Sequence, residues 1–73
     1  MDIKKENFKR IAENRTNKIL DMISLLGNLS NKSYYDYSDD EIDMIFDAIQ
    51  NELDKQRVKF QKLKNNKQRF QLW

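Results

Sequence analysis

The sequence predicts an all-α protein, an antiparallel two-helix hairpin that can dimerise into a four-helix bundle. Three observations predict it. Apolar residues recur at heptad-like spacing in two long segments, one Gly and no Pro occur in 73 residues, and a ten-residue stretch of turn-forming chemistry separates the two segments. A strand-rich fold with tight turns needs more Gly and Pro than this, whereas long helices need neither.

The first helix is expected over residues 3–26. Phe8, Ala12, Ile19, Met22 and Leu26, with Arg15 filling the gap, give alternating steps of four and three, and Ile11, Ile23 and Leu25 widen that seam into a stripe able to face a core. Gly27 is expected to stop the helix in the left-handed conformation that Gly adopts after a last turn. The second helix is expected to begin at Ser38, where Ser38-Asp39-Asp40-Glu41 forms a capping box, with Tyr37 and Ile42 placed for a hydrophobic staple across it. Its seam reads Ile42, Phe46, Ile49, Leu53, Gln56, Phe60, Leu63, again in alternating steps, with Ile45 beside it. The organisation is therefore residues 1–64 as a helical hairpin (helix about 3–26, connector 27–37, helix about 38–64) and residues 65–73 as a basic, aromatic C-terminal tail or helix extension.

A connector of about ten residues favours antiparallel neighbours, with Leu29 positioned to plug the end of a core. If Leu26 lies near Asp39, facing positions add to about 65, so Ala12 meets Leu53 and Ile19 meets Phe46. Arg15 and Gln56 interrupt the two seams without facing each other, and polar seam positions often set register or oligomeric state. Phe70, Leu72 and Trp73 lie past any partner inside such a hairpin.

Composition narrows the chemistry. With no Cys and no His, disulfides, thiolate sites and neutral-pH imidazole catalysis are absent. A chain this short buries little surface alone and commonly gains stability from a partner or from self-association. Met1-Asp2-Ile3-Lys4-Lys5 is not followed by an apolar run, so no signal peptide is expected, and no stretch approaches a membrane span. The expected location is cytoplasmic. The Asn-x-Ser/Thr triplets at Asn14, Asn28 and Asn31 are read as chance in an Asn-rich chain.

The net charge of +2 conceals a separation along the chain. Residues 1–18 hold six Lys/Arg against three Asp/Glu, residues 19–54 one Lys against nine Asp/Glu, and residues 55–73 seven Lys/Arg and no acid. Acids at the start of the second helix and bases at its end complement its macrodipole. Lys4, Lys5, Lys9 and Arg10 sit at the positive end of the first helix, against that rule, and an anionic partner is one reason they would be kept there.

Two candidate surfaces follow. Tyr34, Tyr35 and Tyr37 in the connector, with Phe70 and Trp73 at the C-terminus, are the candidate protein contacts, since Tyr offers large area and a polar tip at low entropic cost. One or two of the tyrosines packing over the end of the hairpin is their ordinary structural reading. Lys4, Lys5, Lys9, Arg10, Lys55, Arg57, Lys59, Lys62, Lys64, Lys67 and Arg69 are the candidate nucleic-acid contacts, with Lys/Arg reaching phosphates and Phe70 or Trp73 stacking on an unpaired base; a solvated charged face is the ordinary reading. No DNA-reading motif accompanies them, so such binding would carry little sequence specificity. The acidic run Asp36, Asp39, Asp40, Glu41, Asp43 has neither the spacing nor the Gly of a calcium loop. No metal, cofactor, small-molecule substrate or membrane is expected, and two helices offer no cavity for catalysis.

Leu26-Gly27-Asn28-Leu29-Ser30-Asn31-Lys32-Ser33 followed by Tyr35-Asp36-Tyr37-Ser38, with Arg15-Thr16-Asn17-Lys18 before and Ile45-Phe46 after, resembles a group of short proteins encoded on bacterial plasmids, phages and conjugative elements. The resemblance spans roughly residues 8–60. Tyr34 stands where that group's pattern has Asn, and residues past Phe60 lie outside it. The resemblance implies a bacterial or phage accessory protein and carries over no functional residues.

The expected function is thus non-enzymatic binding of a protein partner or of a second copy, the alternative being non-sequence-specific nucleic-acid binding. If the C-terminal aromatics seek cover, removing residues 65–73 should weaken self-association or partner capture, read by sedimentation and pull-down; a truncated chain that keeps both would contradict the role given to that segment.

Overall fold

The computed structural model describes residues 2–71, with side chains over residues 2–62. Among the described residues the protein is all-α, with no strand. It divides into two units, Met1–Asp36 and Tyr37–Trp73, each built on one long helix.

In the first unit, helix α1 spans Ile3–Gly27. Asp2 caps it: with φ −101° and ψ 96° it stands outside the helix, its Oδ1 accepts the Lys5 N–H at 3.2 Å, and its carbonyl accepts the Glu6 N–H at 3.1 Å. A carboxylate at this position satisfies one of the orphan donors and complements the positive helix end. Glu6 adds a second acid in the first turn. These two carboxylates offset Lys4 and Lys5, so this helix end is less at odds with its dipole than its bases alone imply.

Gly27 departs from expectation. It is the last residue of α1 with φ −59° and ψ −29°, an ordinary right-handed conformation, and no described residue has positive φ. The chain tightens instead into a 3₁₀ turn over Asn28–Ser30, with the Asn28 N–H donating to the Leu25 carbonyl. The shorter hydrogen-bond step supplies partners to the terminal carbonyls, which is the task a left-handed Gly would otherwise perform.

In the second unit, helix α2 spans Asp39–Gln71, and the expected capping box is present. The Ser38 N–H donates to Glu41 Oε1 at 2.9 Å, the Ser38 hydroxyl donates to the same oxygen at 3.1 Å, and the Glu41 N–H donates to Ser38 Oγ at 3.2 Å. Tyr37 and Ile42, the staple positions on either side, are both half-buried. Asp39, Asp40 and Glu41 fill the first turn, where negative charge favours the helix. The helix continues beyond Leu63 as far as Gln71; Leu72 and Trp73 lie outside the described residues.

No described residue is buried, and Ala12, Leu26, Tyr37, Ile42 and Ile49 are the half-buried ones. The seams read from the sequence are exposed stripes: Phe8 is 65% exposed and Met22 64% on α1, Leu53 is 54% and Phe60 67% on α2. A helix closes its backbone hydrogen bonds within itself but has nothing of its own to cover such a stripe. Each of these large apolar side chains stands to gain about 1.5–3 kcal/mol on full burial.

Space around Gly27 gives a test. A Cβ added there meets nothing within 4 Å, so Gly27→Ala should raise stability by about 0.5–1 kcal/mol through helix propensity and a less flexible unfolded chain. Circular-dichroism melts should show the gain; a loss would restore the left-handed stop.

Candidate functional site

The connector carries its own local structure, organised by Asn31. At φ −74° and ψ 102° Asn31 leaves the helical region. Its Oδ1 accepts the Ser33 N–H at 3.0 Å, and its carbonyl accepts both the Tyr34 N–H at 3.2 Å and the Tyr35 N–H at 3.1 Å. One residue therefore takes up three successive backbone donors, using side chain and main chain together, as Asn does in turns. In the sequence Asn31 stands out only as part of an Asn-x-Ser triplet; the signal that points to its turn is an Asn two residues ahead of Ser33, in a stretch leaving one helix and preceding another.

This turn fixes the backbone of Tyr34 and Tyr35 while their rings stand in solvent, Tyr34 at 80% exposure and Tyr35 at 48%. Tyr37, the third candidate contact, belongs to the second unit and is half-buried at the staple position of α2. Leu29, in the 3₁₀ turn, is 41% exposed. The first unit thus ends in an apolar and aromatic tip of Leu29, Tyr34 and Tyr35 held by local hydrogen bonds.

The basic residues divide between the units. Lys4, Lys5, Lys9 and Arg10, with Arg15, are exposed on α1. They do not share one face: Lys4 and Arg15 fall in the row of Phe8 and Ile11, at steps of four, three and four, while Lys9 and Arg10 lie on the opposite side of the helix. On α2, Lys55, Lys59 and Lys62 repeat at steps of four and three and so form one exposed row. Arg57 lies to the side, next to the apolar stripe. Lys64, Lys67, Arg69 and Phe70 lie within the span of α2, their side chains outside the described residues, as is Trp73.

The polar seam position of α2 has a partner along its own helix. Gln56 Nε2 donates to Glu52 Oε2 at 2.6 Å, and two residues earlier along the helix Gln50 Nε2 donates to Asp54 Oδ1 at 3.0 Å, pairs of the kind that support a helix from its surface. Among the described residues no group of three or more His, Cys, Asp or Glu side chains could hold a metal ion, and no helix is long and apolar enough to cross a membrane. What these surfaces can do chemically is bury apolar and aromatic area and meet charge with charge.

Compared with protein-family models, with curated proteins and with solved structures, the chain finds no match.

Replacing Asn31 by Ala removes one of the three acceptor roles, so amide exchange at Ser33 should accelerate several-fold, while Asn31→Asp should preserve it. Hydrogen exchange followed by NMR checks this. Unchanged protection in Asn31→Ala would mean the side chain does not hold the turn.

Proposed function

We propose that this chain is a small, non-enzymatic binding protein of the kind encoded on bacterial mobile elements, acting in the cytoplasm by protein–protein contact. The observation that carries the reading is the exposure of large apolar side chains along both helices and at the connector tip, Phe8, Phe60 and Tyr34 among them. Runs of exposed aromatic and aliphatic surface of this kind are features of interaction sites. The Asn31 turn supports the role of the tip, because a backbone fixed in advance lowers the entropy lost when Tyr34 and Tyr35 are covered.

The reading includes an architecture. The two helices pair as an antiparallel hairpin, with Ala12 opposite Leu53 and Ile19 opposite Phe46, and two copies associate into a four-helix bundle that covers the stripes. Nucleic-acid binding is the second reading, favoured by the exposed row of Lys55, Lys59 and Lys62 and by the seven Lys/Arg without an acid from Lys55 onward. It would work through phosphate contacts and weaken steeply with salt.

Two variants separate the readings. Tyr34→Ala with Tyr35→Ala should reduce capture of the protein partner from the host cell at least tenfold, about the effect of losing one interface hot spot, and leave helicity unchanged. Lys4, Lys5 and Lys9 changed together to Glu should leave that capture intact. The reverse pattern, with binding to labelled nucleic acid lost in the lysine variant alone, would replace the first reading with the second.

A further inference from the structure

Helix α2 reverses its charge once, between Asp54 and Lys55. From Asp39 to Asp54 it holds seven acids and no base, and from Lys55 to Arg69 seven bases and no acid. From this reversal and the heptad seam we infer that the stripe of α2 is the surface on which a second copy docks, antiparallel, with the two-fold axis at the Asp54–Lys55 step. The inference rests on the self-association proposed above and names its surface and register.

Two independent features select the same alignment. The seam places Phe46, Leu53 and Phe60 at heptad position a, and Ile42, Ile49, Gln56 and Leu63 at d. Antiparallel helices pack a-layers against d-layers, which is met when facing position numbers add to 109: Ile49 is then level with Phe60 of the second copy, Leu53 with Gln56, and Phe46 with Leu63. The centre of that register falls between residues 54 and 55, where the charge changes sign. Sliding by one heptad in either direction keeps a on d but moves the centre away from the reversal.

The flanking positions agree. With one flank of α2 left to α1 of the same chain, antiparallel pairing along the other brings g beside g, which sets Glu52 against Lys59 of the second copy, twice per dimer. Both side chains are exposed, and Ile49, Leu53 and Phe60 on the stripe are half-buried or open. A parallel, in-register dimer would instead lay seven acids along seven acids and seven bases along seven bases, an arrangement opposed by repulsion along the whole helix. In a four-helix bundle each helix meets two neighbours, so the apolar stripe of α2, widened by Ile45, serves α1 of the same chain on one side and α2 of the second copy on the other.

The chain has no Cys, so Met44→Cys and Val58→Cys can each carry a single spin label on the full-length protein. Both residues are exposed and both stand at the outward heptad position f. At 1.5 Å per residue the two Met44 sites of an antiparallel dimer are offset by about 30 Å along the axis and the two Val58 sites by about 10 Å. A clearly longer interspin distance at Met44 than at Val58 is the expected result. Equal distances would mean parallel pairing, overturning the docking surface while leaving self-association intact. An absence of any interspin distance would overturn both.

A charge exchange tests the register. Glu52→Lys sets like charges against each other twice per dimer and should weaken self-association about tenfold, and adding Lys59→Glu should restore it to within about twofold, with helicity checked by circular dichroism throughout. A double variant as weak as the single one would overturn the pairing of Glu52 with Lys59.

Discussion

An α-helix can satisfy its own backbone but cannot bury its own side chains, and everything distinctive in this protein follows from that asymmetry. The caps at Asp2 and Ser38 and the side-chain bonds Gln50–Asp54 and Gln56–Glu52 are local devices. They complete helices of 25 and 33 residues without reference to anything beyond the helix. Phe8, Met22, Phe46, Leu53 and Phe60 have no such local solution. Covering them needs a second surface, and caps worth about 0.5–2 kcal/mol and side-chain pairs worth about 0.2–0.5 kcal/mol are small beside the apolar area at stake.

Charge decides what kind of surface can serve. Stripes of Ile, Leu and Phe would accept almost any apolar partner, but α2 carries a single reversal from acid to base. A partner must answer it in the opposite sense along the same length. Another α2 running the other way does so by symmetry, which is how one sequence can be complementary to itself. The connector follows a different logic. Asn31 accepts three hydrogen bonds that fix the backbone from Ser33 to Tyr35, and Tyr34 and Tyr35 stand exposed on it.

The sequence made much of this legible, and the reasons are physical. The Ser38–Glu41 box could be read because capping depends on residue identity at fixed spacing, and helix type could be read from apolar steps of three and four. Gly27 was misleading because its identity permits a left-handed turn without requiring one; the 3₁₀ continuation over Asn28–Ser30 satisfies the same carbonyls. Asp2 and Asn31 were legible but easily overlooked, each being a single polar residue whose role depends on a backbone N–H two or three positions ahead. Of the candidate sites, Tyr34 and Tyr35 are exposed and Tyr37 is half-buried; the dispersal of the basic residues of α1 around its circumference follows from their helical positions, and the place of Arg15 in the seam already pointed to it.

The measurement that bears most directly on this account is thermal unfolding followed by circular dichroism over about a hundredfold range of protein concentration, with sedimentation equilibrium on the same samples. If a second copy covers the stripes, the midpoint rises with concentration as mass action requires, and the folded species has twice the chain mass. A midpoint that does not move, with a folded species of single-chain mass, would contradict it.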